Sequence, residues 1–174
     1  MNALHTNGID RPYTAAVITL SDKGARGERE DLSGPAIMKR LEENGYIVEE
    51  QLLLPDGELP LKSELIRLCD QRRVDLILTT GGTGFTPRDL TPEATKAVAE
   101  REVPGIPEAM RMYSMQFTKR AMFSRGACVI RKKSLILNLP GSPKAVSECL
   151  DAVLDTLPHA LDMLRNSAGD CART

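Results

Sequence analysis

The chain is short of histidine, paired cysteines and long apolar runs, and each shortage removes a class of function. Its 2 histidines are His5, in a polar leader, and His159, inside a helical pattern. That is too little for a histidine metal cluster or histidine general-base catalysis. Cys69, Cys128, Cys149 and Cys171 are scattered with no Cys-x-x-Cys pair. Neither a zinc site nor a disulfide framework is expected, and the thiols are read as reduced and mostly buried. No apolar stretch approaches the roughly 20 residues of a membrane-spanning helix. The start, MNALHTNGIDR, lacks the apolar segment of a secretory signal. A cytoplasmic protein without membrane contact is therefore expected. Net charge is also missing: 23 Lys plus Arg face 24 Asp plus Glu, a formal −1. There is no global attraction to nucleic acid or anionic lipid, so any polyanion must be held locally.

What remains suits one compact α/β domain. A length of 174 residues at 41% hydrophobic supports a sizeable core. The domain is expected over 12–166, with flexible tails at 1–11 and 167–174. Residues 13–20, YTAAVITL, read as a buried strand. A helix from Pro35 carries Ile37 and Leu41 and closes at Asn44-Gly45. Tyr46 to Leu54 forms a second strand, Pro55-Asp56-Gly57 turns the chain, and Leu61, Leu65 and Leu68 mark a helix ahead of a third strand from Val74. This alternation predicts a mostly parallel sheet with helices on both faces, a three-layer α/β/α architecture. A helical stripe Ile106, Met110, Tyr113, Phe117 follows, with Met112, Met115 and Met122 off it as candidates for subunit contact. Residues 127–139 read as a hairpin with Arg131-Lys132-Lys133-Ser134 at its tip, and Pro143 to Leu164 as a final helix.

Sheets of this kind bind ligands beyond the carboxyl ends of their strands, which directs attention to the loops after Leu20, Leu54, Thr80 and Leu139. The third loop, Thr79-Thr80-Gly81-Gly82-Thr83-Gly84-Phe85-Thr86-Pro87-Arg88-Asp89-Leu90-Thr91-Pro92-Glu93, combines shape and charge. Gly81, Gly82 and Gly84 let consecutive amides point at an anion. Arg88 could neutralise phosphate, and Asp89 could hold Mg²⁺, a hard cation that prefers oxygen ligands. Thr91-Pro92 reads as a cap and first helical residue, so a plain glycine turn into a capped helix stays open. The spacing fits neither a dinucleotide fingerprint nor a Walker-type phosphate loop. Asn138-Leu139-Pro140-Gly141-Ser142-Pro143-Lys144 likewise opens a helix, with Ser142 as cap, and offers its amides either to a phosphate or to ordinary capping. The loop Ser21 to Pro35 is rich in donors and carboxylates.

These three loops, in this order, resemble the molybdopterin-binding family. Arg101-Glu102-Val103-Pro104-Gly105, Ser124-Arg125-Gly126 and Asn138-Leu139-Pro140-Gly141 resemble its bacterial single-domain adenylyltransferase branch. The resemblance covers roughly residues 13–165. It implies a homotrimer that adenylylates molybdopterin with Mg-ATP, releases pyrophosphate and passes the product to a downstream molybdenum insertion enzyme.

Carried over by matching motif, Asp89 is the principal catalytic carboxylate and metal ligand. Asp56 is a second acid, although Pro-Asp-Gly is also an ordinary turn and Gly57 stands where the family often has an acid. Gly81, Gly82, Thr83, Gly84 and Arg88 are expected to hold nucleotide phosphates, and Ser21, Asp22, Ser33 and Gly34 to shape the adenylate pocket. Pro140, Gly141, Ser142 and Lys144 are expected to face the pterin or its phosphate. The tip Arg131-Lys132-Lys133 is either a further neutralising patch or a solvated hairpin. A non-catalytic molybdopterin-binding or carrier protein would share these loops, but it would not need the acids Asp56 and Asp89.

Overall fold

The computed structural model describes residues 11–166. The expected tails, with His5 and Cys171, lie outside the described residues apart from Arg11. Six strands form one mixed sheet: β1 (Thr14–Leu20), β2 (Ile47–Leu54), β3 (Leu76–Thr80), β4 (Arg101–Glu102), β5 (Cys128–Arg131) and β6 (Ser134–Leu139). Their spatial order is β2-β1-β3-β6-β5-β4. The first four in that order run parallel; β5 pairs antiparallel with β6, and β4 antiparallel with β5, at one side. Between the strands come helices α1 (Asp22–Ala25), α2 (Ser33–Glu43), α3 (Glu58–Ile66), α4 (Thr91–Ala97) and α5 (Gly105–Ser114), and after the last strand α6 (Pro143–Val153) and α7 (Leu157–Arg165).

Strand alternation builds the layers. In β1, Ala15 and Val17 join Ile37, Leu41, Val146, Leu150 and Leu161 in one core, whereas Ala16 and Ile18 join Leu61, Leu65, Leu68 and Ala94 in another. Successive side chains of a strand point to opposite faces, so one apolar run feeds both layers. The strands β3 and β6 at the centre are buried throughout, while the edge strand β2 alternates between exposed and half-buried residues.

Several local expectations differ from what is observed. α2 starts at Ser33 rather than Pro35, because the Asp31 carboxylate accepts hydrogen bonds from the Ser33 and Gly34 amides at 3.1 and 3.0 Å and winds the chain two residues earlier. Thr91 is the first residue of α4, not its cap. Its side chain is buried against Gly82, and no side chain caps this helix. The long stripe after Pro104 is a helix only to Ser114; a separate 3-10 turn covers Lys119–Phe123, and Phe117 is exposed rather than core. The last helical segment breaks at residues 154–156 into α6 and α7. The short helix α1 and the two-residue edge strand β4 carry too little periodicity to be read beforehand. Cys69, Cys128 and Cys149 are buried free thiols, as expected, and burial pushes Cys69 up to about 11 and Cys128 up to about 12. His159 is exposed.

The end of the sheet away from the glycine loops is closed by a buried ion pair. Arg165 of α7 meets Asp75 at 2.7 and 3.0 Å with both side chains 5% exposed. Arg165 also donates to the carbonyls of Arg11 and Pro12, each at 2.9 Å, and lies 4.3 Å from the centre of the Tyr13 ring. Asp75 accepts from the Thr14 amide and hydroxyl at 2.8 and 2.9 Å. One ion pair thus joins the start of β1, the start of β3 and the last helix. Burial pushes the Asp75 carboxyl up, but Arg165 and Thr14 together outweigh it, and the group lies below its ordinary value.

Removing one partner leaves an uncompensated buried charge, so Arg165→Met is expected to lose about 3 kcal/mol in urea unfolding at pH 7. The depressed Asp75 supplies stability above its unfolded value near pH 4, and that stability drains as pH falls through the lower folded value. Wild-type unfolding free energy therefore falls through this acid range, while Asp75→Asn gives a flatter acid limb.

Candidate functional site

The carboxyl ends of β2, β1, β3 and β6 lie side by side, which gathers the loops singled out from sequence at one edge of the sheet. Gly81 leaves β3 with φ 98°, and a Cβ there would stand 2.4 Å from the Leu20 carbonyl oxygen. Gly82, at φ 67°, would place a Cβ 2.3 Å from the Thr91 hydroxyl. Both positions combine a left-handed backbone with contact that excludes any side chain. The loop after β6 packs on the same spot: Gly81 N–H donates to the Leu139 carbonyl at 3.3 Å, and Thr80 Oγ1 donates to the Pro140 carbonyl at 2.7 Å. Ser33 Oγ reaches across to the Gly141 carbonyl at 2.8 Å. Below them the buried Asn138 donates to the hydroxyls of Thr79 and Thr95, each at 2.9 Å, and accepts from the Ala127 amide.

Two cavities flank this backbone ridge. One, of about 360 Å³, is lined by Ser21, Asp31, Ser33, Thr80, Gly81, Gly141 and Ser142 among others. The second, of about 280 Å³, is lined by Thr83, Gly84, Pro140, Arg111, Arg120, Ser114 and Cys149 among others. Gly81 and Gly141 face the first, while Gly84 and Pro140 face the second. Ser142 caps α6 by accepting from Ala145 N–H at 3.2 Å. Lys144 is exposed and lines neither cavity, and Gly34 is buried in the first turn of α2, where a Cβ would meet the Asp31 carboxylate at 2.4 Å.

The acids sit on a network at the mouth. Asp22 and Asp56 exchange bonds, each carboxylate accepting from the other's backbone N–H at 3.0 Å. Arg88 donates to Asp22 at 2.7 Å and to the Asp56 carbonyl at 3.2 Å, and this guanidinium holds the Asp22 carboxyl below its ordinary value. Arg88 is therefore tied to protein groups rather than standing ready for phosphate alone. Asp89 Oδ2 accepts from Thr86 N–H at 2.8 Å and backs onto Gly84. Among the described residues no donor engages its other oxygen, and no group of three or more His, Cys, Asp or Glu could cage a metal. Mg²⁺ normally takes one or two carboxylates together with water and substrate phosphate, so this donor set fits an ion that arrives with a nucleotide.

Two residues of this site were given no role from sequence. Arg125 clamps the glycine loop, donating to the Gly84 carbonyl at 2.8 Å and the Asp89 carbonyl at 2.6 Å while pairing with Glu93. Asp31 accepts from Thr19 Oγ1 at 2.6 Å and starts α2. Arg125 stood in a quoted motif, but spacing does not show that it folds back 36 to 41 residues onto a loop. Conversely, the tip Arg131-Lys132-Lys133 lies at the other end of β6 from Leu139 and takes no part here.

A family model described as "Probable molybdopterin binding domain" matches residues 16–159. The chain belongs to that family. A molybdopterin adenylyltransferase of Helicobacter pylori is 44% identical over 151 residues, covering 85% of each chain. That of Escherichia coli is 43% identical over 141 residues, 80% of this chain and 72% of its own. Among solved structures, the molybdopterin biosynthesis enzyme MoaB of Thermus thermophilus is 47% identical with a TM-score of 0.83, covering 87% of this chain and 96% of its own. A molybdopterin biosynthesis protein of Mycobacterium abscessus is 31% identical with a TM-score of 0.84, over 89% and 97%. The three-layer fold read from the strand and helix alternation is thus the fold of this molybdopterin-binding family.

Charge-assisted bonds contribute about 1.5–3 kcal/mol each, so this clamp sets the local stability of the loop. Arg125→Ala is expected to speed amide hydrogen exchange at Gly84 to Asp89 by roughly tenfold or more while the amides of β3 stay protected. Equal acceleration across both segments would show that the clamp serves the whole fold instead.

Proposed function

We propose that the chain is a molybdopterin adenylyltransferase, moving AMP from ATP to the terminal phosphate of molybdopterin with release of pyrophosphate. The observation that carries this reading is the pair of cavities sharing one wall of glycine-rich backbone, with the Asp89 carboxylate packed against that wall. Two phosphorylated ligands seated on either side would bring their phosphates to the ridge. Relatives named for this activity at 43 and 44% identity support the assignment.

In this reading an oxygen of the molybdopterin phosphate attacks the α-phosphorus of ATP, the α–β phosphoanhydride bond breaks, and pyrophosphate carries the electron pair away. The amides of Gly81, Gly82 and Gly84 and the Thr83 hydroxyl orient phosphate oxygens, while Ser21, Asp22, Ser33 and Gly34 shape the side that takes the adenylate. Pro140 faces the cavity left for the pterin's phosphate, while Gly141 and Ser142, expected on the pterin side, line the adenylate cavity instead, and Lys144 is an exposed charge outside both. Catalysis here is positioning and charge stabilisation rather than covalent chemistry. Asp89, with one oxygen fixed by the Thr86 amide, is the carboxylate that would hold Mg²⁺. Mg²⁺ bound there would neutralise charge on the transferring and leaving phosphates. Asp56 is the second acid: its carboxylate fixes the Asp22 amide, the Asp22 carboxylate and the Asp56 carbonyl hold Arg88 at rest, and an arriving triphosphate competes for that guanidinium.

The same reading includes a homotrimer, supported by the exposed apolar side chains Met112, Phe117, Met122 and Phe123, the last in tilted ring contact with exposed Phe85. It also includes a cytoplasmic setting, in keeping with three buried reduced thiols, and a downstream molybdenum insertion enzyme as recipient of the product. Among the described residues no helix is long and apolar enough to cross a membrane.

Pyrophosphate release is expected only when ATP, Mg²⁺ and molybdopterin are all present, with adenylylated pterin found by mass. Asp89→Asn should lower turnover by about 10²- to 10³-fold with molybdopterin affinity largely kept, because the carboxylate acts on the metal and transition state. Tight pterin binding without release in the wild type would leave a carrier protein. Light scattering at micromolar concentration is expected to give three times the 19.1 kDa chain mass, and a monomer there would overturn the trimer.

A further inference from the structure

The basic hairpin tip that the candidate site leaves unused lines a separate cavity. At the end of the sheet opposite the glycine loops, a cavity of about 440 Å³ lies between the start of β3, the β5–β6 turn and the end of α7. Arg11, Arg73, Lys132, Lys133 and Arg165 line it, together with the carboxylates Asp70 and Asp75. Both carboxylates are already committed: Asp75 to Arg165 at 2.7 Å, and Asp70 to Arg131 at 2.6 Å. The cations are less well matched. Lys133 Nζ donates to the Arg165 carbonyl at 3.1 Å, and Arg73 has no ion-pair partner among the described residues. Lys132 meets Glu100 only at 3.5 Å, in a solvent-exposed pair of the kind that contributes little. In a chain of net charge −1, this is a concave region with surplus positive charge.

The backbone adds an independent observation. Among the described residues, Arg73 (φ 56°) and Lys132 (φ 53°) are the non-glycine residues in the left-handed region, and both line this cavity. Arg73 ends the helical turn Arg67–Arg72 that continues α3, and Lys132 sits in a two-residue hairpin turn; at both places glycine or asparagine meets less steric resistance. Two strained positions, both filled by cations facing one cavity, mark a place where ligand contact rather than stability accounts for the residue.

We propose that this cavity binds a pyrophosphate group, either free or as part of a nucleotide, through Arg73, Lys132 and Lys133. The planar Arg73 guanidinium suits two phosphate oxygens at once, and the two lysines supply point charges around a multiply charged anion. The buried Arg165–Asp75 pair forms the neutralised floor. An open pocket of this size suits a small anion rather than a peptide or a membrane surface. The site lies away from the candidate active site and does not depend on the adenylyltransferase reading.

The test is titration of the isotope-labelled full chain with inorganic pyrophosphate, ADP or adenosine, followed by backbone amide shifts. Saturable shifts at Arg73, Lys132 and Ser134 with pyrophosphate and with ADP, but not with adenosine, are expected; the relative affinities of the two anions tell which source is preferred. Arg73→Asn and Lys132→Asn suit the left-handed backbone, so each should keep or raise the thermal midpoint while weakening the anion by roughly fivefold or more. Shifts at Gly82 and Thr83 report the other end of the sheet and should be unchanged by these variants. Shifts confined to Gly81–Gly84, a response to adenosine alone, or unaltered affinity in both asparagine variants would each overturn the site.

Discussion

At the carboxyl ends of β1, β3 and β6, three stretches of backbone meet, and between the first two there is no room for a side chain. Gly81 rests on the Leu20 carbonyl, and Gly141 comes within 3.5 Å of the Gly81 Cα for any Cβ it might carry. Everything at the functional edge is organised around that contact. Because backbone packs on backbone there, amides and carbonyls rather than side chains form the ridge, and the cavities on its two sides are held at a set separation. A Cβ at Gly81 would push the loop off Leu20 and change both cavities together.

The network around the ridge shows how charge is used in this molecule. Arg125, Arg88 and Arg165 each hold chain segments far apart in sequence: the glycine loop, the paired Asp22 and Asp56 loops, and the two ends of the fold. Arginine suits this work because its planar fork serves several acceptors at once. The near-zero net charge therefore conceals an uneven distribution, in which many cations are internal fasteners and a few with loose partners line the cavity at the far end of the sheet. In the proposed reading, phosphorylated ligands are held by oriented amides and local charge rather than by an overall field.

Much of the architecture was legible before any coordinates, for a simple reason. Buried parallel strands need continuous apolar runs and crossover helices need periodic ones, and both patterns are strong at β1, β3, α2 and α3. Elements shorter than one clear period, such as α1 and β4, left no such pattern, and the breaks at Ser114 and at residues 154–156 interrupt stripes that continue past them. At the site, the loops rich in glycine and capping residues were recognisable because their residue types are selected by local backbone geometry. Asp31 and Arg125 were not: Arg125 folds back onto a loop 36 to 41 residues earlier, and residue order does not single Asp31 out from the neighbouring acids Glu28 and Glu30. Arg88 was read as a ligand group because spacing reveals charge but not the carboxylate already facing it.

Composition, periodicity and local turn chemistry by themselves determined the layer order, the two faces of the sheet and the loops that reach its carboxyl edge, while the family resemblance rested on the residues of particular motifs. These follow from properties of a residue and its near neighbours in the chain. Only the tertiary structure decided which loops touch, that Thr91 packs on Gly82 instead of capping its helix, that Asp22 and Asp56 hold one another, and that the basic hairpin tip faces a different cavity at the far end of the sheet. Those outcomes depend on contacts between residues tens of positions apart, where direction and distance are set by packing of the whole core and carry no periodic trace in the sequence.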